Sequence, residues 1–142
     1  DWEKAADQWK NDGTAKHVAK VRVSIVLGNE GGIFPLYKQL VQQNPNILSQ
    51  PNNSYVPWNH VEDMSGIFAY VTEKHLDGVF NSVALPASQH DIFTAISNEL
   101  GNKNKNIQSF SGQHLISKKI ENEGYVFKYP NIEDAIKHLL QS

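Results

Sequence analysis

The 142-residue chain has no cysteine, one methionine and only 20% charged residues. The absence of cysteine excludes a disulfide scaffold, a thiolate metal centre and a cysteine nucleophile. No apolar run approaches the ~20 residues of a membrane-spanning helix, and the first residues lack the basic and apolar regions of a signal peptide. Thirteen Lys and Arg against 15 Asp and Glu leave a net charge of −2, which gives no reason to expect a nucleic-acid or anionic-membrane partner. We therefore expect one soluble, cytoplasmic domain.

The pattern of apolar residues predicts an α/β protein. Trp2, Ala5, Ala6 and Trp9 recur at helical spacing and predict a first helix with one apolar face. The β-branched run 18–27 predicts one strand covered on both faces. The further predicted elements are helices from Pro35, from 60, from the capping box at Ser88, around 113–122 and from Asn131, a strand over 79–84, and short extended pieces at 55–58 and 125–129.

Only two substantial strands are visible in this pattern. A strand covered on both faces needs neighbours, and the mean sheet has about 5–6 strands. The first residue is Asp rather than Met. We therefore expect the chain to be a piece of a longer protein.

The six histidines do not show the spacing of a metal site. His60 and Asp63 lie three residues apart at a predicted helix start, but two ligands do not make a site. Asp63 is placed to complement the helix dipole, and His60 to cap the helix or bond nearby backbone. No metal is predicted.

A glycine-containing loop, 28–32, follows the first strand and precedes a helix. It lacks the spacing of a dinucleotide or triphosphate fingerprint, so it is a weak phosphate site. It is better placed as part of a cleft, because ligands of open α/β sheets bind beyond the carboxyl ends of strands. Tyr55 and Trp58 either stack on a ligand or belong to the core where a loop crosses.

Four segments in order resemble extended or atypical short-chain dehydrogenases/reductases of the NAD-dependent epimerase/dehydratase family. Residues 21–28 with Gly31 and Gly32 resemble the strand and loop after the catalytic helix. Residues 57–64 resemble the segment in which an aromatic residue, His-Val and Asp open a helix. Residues 78–83 resemble the Gly-x-aromatic-Asn strand that precedes a helix ending in Leu-Gly, here Leu100 and Gly101. Residues 124–130 resemble the C-terminal region of the sugar-nucleotide-epimerase-like subgroup.

The resemblance implies an α/β chain with a partial Rossmann-type sheet and the C-terminal substrate-binding lobe, lacking the N-terminal nucleotide-binding half. Residues 1–142 would form a single lobe, in which 1–43 end the Rossmann half and 44–142 form the substrate side. The implied cofactor is NAD or NADP in the full-length protein, with none expected for this chain alone. The site residues it implies are Val23, Ser24 and Ile25 at the nicotinamide end of the cofactor cleft, and Gly28, Gly31, Gly32, Pro35, Trp58, His60 and Asp63 on the substrate side, with His60 and Asp63 as braces.

Two departures from the family pattern limit these implications. Val56 stands where many nucleotide-sugar members have an Arg that can pair with a diphosphate, so a sugar-nucleotide substrate is in doubt. Tyr70 and Lys74 formally satisfy Tyr-x-x-x-Lys, but they follow the His-Val segment and are interpreted as structural. No catalytic residue is assigned within this chain.

Two hypotheses follow. In the first, the chain is the substrate-binding part of an NAD(P)-dependent epimerase or oxidoreductase, is inactive alone, and takes a small-molecule substrate. In the second, it is a non-catalytic binding or interaction module that associates with a partner or with itself through exposed apolar faces.

Overall fold

The computed structural model describes residues 2–44, 46–49, 52–102 and 115–142. Helices and short strands alternate along the chain, which is the predicted α/β class. The helices are α1 (Trp2–Asn11), α2 (Phe34–Gln43), α3 (Val61–Glu73), α4 (Gln89–Glu99), α5 (Lys118–Asn122) and α6 (Ile132–Gln141), with a 3₁₀ turn at Ile47–Ser49. The strands are β1 (Ala19–Val23), β2 (Ile25–Gly28), β3 (Gly31–Gly32), β4 (Tyr55–Val56), β5 (Trp58–His60), β6 (Gly78–Ser82) and β7 (Ala87–Ser88).

The run 18–27 is not one strand, as the sequence predicted, but two strands in different sheets. β1 pairs in parallel with β6, with Val21 opposite Phe80. β2 pairs in parallel with β5 and antiparallel with β3. Ser24 separates β1 from β2 because its hydroxyl donates to the carbonyl oxygen of Ser82, 2.7 Å away. The chain can therefore change hydrogen-bonding neighbours at this residue.

The predicted covering of both strand faces is also wrong within the described residues. Val23 and Ile25 are 46% and 37% exposed. Burial begins only at Leu27, which is fully buried. The pattern of apolar residues is typical of a covered strand. Little in the described part of the chain, however, packs on this end of β1.

The core consists of two clusters. The larger one packs α2, α4 and α6 against Leu27 and Trp58. The smaller one places Ile67 and Val71 of α3 against Phe80 of β6 and Ile120 of α5. Both clusters are built largely from apolar side chains at helical spacing, although Leu40, Phe68 and Leu100 at their edges remain 39%, 45% and 36% exposed.

Capping residues begin three of these helices as expected. The Ser88 hydroxyl accepts from the N–H of Asp91, whose carboxylate accepts from the N–H of Ser88, so α4 opens with a complete capping box. Asn131 caps α6 by accepting from the N–H of Asp134. His60 caps α3 through Nδ1, which accepts from the N–H of Glu62 at 3.0 Å.

Helix α1 contributes no buried residue. Trp2 and Trp9, on its predicted apolar face, are 93% and 58% exposed. The helix is instead attached to β1 by ion pairs from Arg22 to Glu3 and from Lys20 to Asp7.

Two more expectations need correction. Residues 125–129 are irregular rather than extended in a sheet, because the N–H groups of Lys128 and Tyr129 bond to the Asp63 side chain of α3 and that of Tyr125 bonds to the carbonyl oxygen of Ile120. The helix expected around 113–122 begins at Lys118, and residues 113 and 114 lie outside the described residues. No helix in the described ranges is long and apolar enough to cross a membrane.

Candidate functional site at the carboxyl ends of the parallel strands

The glycine loop lies directly beyond the end of β2. Gly28 is buried, and a Cβ at this position would lie 3.3 Å from Cβ of Val61, so the loop runs close over the start of α3. Gly31 and Gly32 are exposed and form β3. Gly32 has a φ of +73°, which only glycine adopts without strain. The exposed Pro35 then starts α2, so the loop turns back over β2 and leaves its outer edge accessible.

The three residues predicted to border a cofactor lie at the junction of β1 and β2. Val23 and Ile25 expose apolar side chains on either side of Ser24, which is held by its bond to Ser82. Two exposed apolar side chains at the end of a parallel strand can pack against a planar ring. They offer no donor for a phosphate group.

Trp58 and His60 are fully buried on β5. The indole N–H of Trp58 donates to the carbonyl oxygen of Leu85 at 2.9 Å. This agrees with the core interpretation of Trp58, because a buried ring is not available for stacking on a ligand. The imidazole of His60 lies between α3 and α6, with its Nε2 3.1 Å from Nδ1 of His138 and its ring 4.1 Å from that of Tyr129.

Asp63 is the centre of a buried polar network. Its carboxylate accepts from the hydroxyl of Tyr125 at 2.9 Å, from the N–H of Lys128 at 2.8 Å and from the N–H of Tyr129 at 2.9 Å. Two oxygens thus satisfy three donors of the segment 125–129. His60 and Asp63 hold this segment and α6 against α3, which is a bracing arrangement. Their contact with a substrate stays a prediction.

Burial and hydrogen bonding change the acid–base properties of this network. Burial lowers the pKa of His60, and the neighbouring charge of His138 adds to that effect. Burial raises the pKa of the Tyr125 hydroxyl, and the bond to Asp63 raises it further. A neutral imidazole and a protonated phenol are therefore the forms that this interior favours near neutral pH.

A small cavity that the sequence did not reveal lies beyond the carboxyl end of β6. Its volume is about 100 Å³. It is lined mainly by the turn after β6, by the chain before α5, and by Phe127 and Pro130. The sequence signal for it is Pro86, which lines the cavity and follows the predicted strand 79–84.

Tyr70 and Lys74, the pair that formally satisfies Tyr-x-x-x-Lys, are both engaged in packing contacts. The hydroxyl of Tyr70 donates to the carbonyl oxygen of Glu123 at 2.7 Å, and Lys74 lies over the Tyr70 ring, 5.9 Å from its centroid. This pair therefore serves packing, in agreement with its structural interpretation. Among the residues that the structure describes, no three His, Asp or Glu side chains come together as metal ligands.

Comparisons with known proteins place this arrangement in a wider context. Residues 109–139 match the family model described as Domain of unknown function (DUF1731). The chain is 25% identical over 159 residues to Epimerase family protein SDR39U1 of Bos taurus, an alignment that covers 98% of this chain and 53% of the relative. Identity to the human protein of the same name is 24% over 157 residues, with the same two coverages. The chain spans about half the length of the curated relatives it matches.

Solved structures show the same relationship. The nucleoside-diphosphate sugar epimerase from Corynebacterium glutamicum matches with a TM-score of 0.72 and 26% identity, over 98% of this chain and 29% of that chain. The chain resembles the C-terminal portion of Rossmann-type epimerases. Human SDR39U1 (isoform2) with NADPH matches with a TM-score of 0.68 and 22% identity, over 89% of this chain and 49% of that chain. The resemblance and the fold class predicted from the sequence are thereby confirmed.

Some of these epimerase-like neighbours hold a cofactor. The Bordetella bronchiseptica enzyme WbmF, in complex with NAD⁺ and UDP, matches with a TM-score of 0.76 and 15% identity, over 98% of this chain and 48% of that chain. At that identity the match concerns the fold alone. In this chain, exposed apolar side chains lie at the end of β1, the glycine loop lies at the end of β2, and the cavity lies at the end of β6.

Proposed function

We propose that this chain is the substrate-side half of an NAD(P)-dependent epimerase-type oxidoreductase. The observation that carries the proposal is the half sheet. In the described residues β1 pairs with β6 alone, and both Val23 at its end and Ile25 at the start of β2 are exposed. A parallel strand with this composition is normally covered, and the relatives are about twice as long.

In such an enzyme the nicotinamide cofactor accepts or returns a hydride, and the protein orients the substrate and supplies acid–base groups. The residues present fit one part of this task. Val23 and Ile25 can pack on the edge of the nicotinamide ring, while the loop from Gly28 to Pro35 can form one wall of the substrate pocket. The chain has no glycine fingerprint for the cofactor diphosphate, so we assign most of the dinucleotide binding, and the catalytic groups, to a region outside this chain.

The bracing network keeps the substrate side in place. His60 and Asp63 touch the segment 125–129 and α6, and Trp58 bonds to the turn after β6. These buried side chains act through other residues and are therefore positioning residues. The substrate is a small molecule; sugar nucleotides are suggested by the neighbours' names, whereas Val56 argues against them.

The test uses the protein from its natural source. An antibody raised against this chain isolates the protein, whose intact mass and binding of NADPH and NADH are then measured. We expect a mass well above 16.0 kDa and tight binding of one of the two dinucleotides. The 142-residue chain produced alone should bind neither tightly and should be inactive as an epimerase or reductase. A natural mass of 16.0 kDa together with no dinucleotide binding would show that the proposal is wrong.

The exposed face of α1 favours one alternative. Trp2 and Trp9 expose large apolar side chains, as does Val23 at the end of β1, and exposed apolar side chains are what a non-catalytic interaction module presents to a partner or to a second copy. Sedimentation of the 142-residue chain at several concentrations distinguishes the two. A concentration-dependent dimer that binds no dinucleotide favours the module.

A further inference from the structure

The cavity beyond β6 is held in shape by hydrogen bonds from three directions. The Ser117 hydroxyl accepts from the N–H of Val83 at 2.8 Å and shares its own hydrogen between the carbonyl oxygens of Val83 and Asn81. This fixes the wall before α5 against the end of β6. The amide of Asn81 donates to the carbonyl oxygen of Ile116 at 3.1 Å. The cavity is therefore preformed on this side rather than a gap between loosely packed loops.

The opposite wall is fixed in the same manner. The N–H of Leu85 donates to the carbonyl oxygen of Pro130 at 2.8 Å, and the carbonyl oxygen of Leu85 accepts from Trp58. Pro130 follows the segment that Asp63 holds through Lys128 and Tyr129. The buried network of α3 thus supports the rim of the cavity.

The lining that the structure describes is mainly hydrocarbon, and its one charged residue is acidic. Leu85, Leu115 and Ile116 leave 57%, 52% and 54% of their surface exposed around the opening. Glu121 is the one charged residue among the described lining residues, and no Lys or Arg stands with it. A carboxylate repels a diphosphate, whereas groups that bind phosphate are normally Arg, Lys or backbone N–H donors.

We propose that this cavity binds an uncharged, mainly hydrocarbon group of the substrate, about the size of a six-membered ring. The assignment rests on the proposed function, because it names the substrate class of that site. The position agrees with the rule that open α/β sheets bind ligands beyond the carboxyl ends of their strands. The volume sets an upper limit, since an apolar cavity of about 150 Å³ holds benzene and this one measures about 100 Å³; a single six-membered ring fills it and extends into the opening.

The test is a titration of the ¹⁵N-labelled 142-residue chain followed by amide chemical shifts. The probes are cyclohexanone, which is neutral and has a six-membered ring, and UDP-glucose, which carries a diphosphate. We expect cyclohexanone to shift the amides of 83–85 and 115–117, and UDP-glucose to leave them unchanged.

Two matched variants locate the binding. Leu85→Asp places a charge at the opening and should weaken cyclohexanone binding by about tenfold or more, because an apolar ligand cannot compensate a partly desolvated carboxylate. Leu36→Asp changes a leucine of similar exposure, 51%, on α2 away from the cavity and should bind as the unchanged chain does. If Leu85→Asp fails to fold, Ile116→Asp on the facing wall takes its place, and the same loss of cyclohexanone binding is expected.

The proposal is overturned if cyclohexanone leaves these amides unchanged, if Leu36→Asp weakens binding as much as Leu85→Asp, or if UDP-glucose shifts the same amides. This result is separable from the proposed function. If the natural protein binds NADPH but cyclohexanone does not bind in the cavity, the protein is an epimerase-type enzyme with a different substrate class. A natural protein of 16.0 kDa without dinucleotide binding refutes the enzyme even where the cavity binds cyclohexanone.

Discussion

Nε2 of His60 lies 3.1 Å from Nδ1 of His138, and this contact joins the start of α3 to the last turn of α6. Nδ1 of His60 accepts from the N–H of Glu62, so the hydrogen-bond network assigns the proton to Nε2, which donates to His138. Tyr129 stacks on both rings. The side chain of Glu62 lies 3.6 Å from Nε2 of His138, and Lys128 pairs with Glu62. Two helices distant in sequence are thus coupled through one imidazole pair.

We expect the free energy of unfolding to fall as the pH drops below neutrality. Burial, and then the charge of His138, lower the pKa of His60 from its ordinary 6.5, while Glu62 and Asp63 oppose this. Below pH 6.5 the unfolded chain therefore binds a proton that the folded chain does not. The loss contributed by this one residue is at most about 1.4 kcal/mol per pH unit and ends below the folded-state pKa.

Urea unfolding at pH 7.5 and at pH 5.5 measures this dependence. His60→Asn keeps a side-chain acceptor for the helix cap and should reduce the difference between the two pH values. His90→Asn is the matched control, because His90 lies outside this network. An equal reduction in both variants would contradict the role of His60.

Asp63→Asn should destabilise the fold by about 2–4 kcal/mol. The carboxylate accepts three hydrogen bonds, whereas the amide of Asn brings two N–H donors that would face the donors of the segment 125–129. The residue is completely buried, so water cannot replace the lost bonds. Glu133→Gln, on the exposed side of α6, should change stability by less than about 0.5 kcal/mol. Equilibrium denaturation of both variants is the measurement, and similar values for the two would show that the carboxylate of Asp63 is not the centre of the network.

Gly66→Ala should destabilise the fold, although alanine is the better helix former. A Cβ at this position of α3 would lie 2.6 Å from the hydroxyl oxygen of Tyr125. Overpacking of this kind costs about 1–3 kcal/mol, whereas replacing a helical glycine with alanine otherwise gains roughly 0.5–1 kcal/mol. In the Tyr125→Phe background, which lacks the hydroxyl, the same substitution should change sign and stabilise. The absence of a sign change in this double-mutant cycle would mean that the hydroxyl does not limit the space at Gly66.

Helix α1 should exchange its amide hydrogens much faster than α4. It buries no side chain, and it is held by pairs that include Lys10 with Asp77 at 2.6 Å. The bonds from Lys10, Val18 and His17 keep the pKa of Asp77 well below its usual range, so this carboxylate stays charged at the pH of the experiment. Because salt screens exposed pairs, 1 M NaCl should accelerate exchange in α1 and leave α4 unchanged. Hydrogen exchange followed by mass spectrometry measures both, and a salt effect of equal size in α4 would show that it does not arise from these pairs.

Local sequence rules were sufficient for several of the helix starts. Ser88 and Asn131 have side chains that satisfy the first N–H groups of a helix, and Pro35 is compatible with the first turn of α2. Each of these effects acts within four residues, so the sequence alone locates it. Ile67 and Val71, four residues apart on α3, lie on one face of the helix, and both are buried. Spacing along one helix is also a local property.

The sequence by itself determined the α/β class, the starts of α3, α4 and α6 and the likeness to half of an epimerase-type protein. Tertiary structure alone decided that the run 18–27 divides at Ser24, because the bond that divides it reaches Ser82, 58 residues away. It also decided that Asp63 holds the segment 125–129 and that the turn after β6 encloses a cavity. In each case the partners lie far apart in the chain, and no periodicity or spacing records which distant donor a carboxylate or hydroxyl will meet.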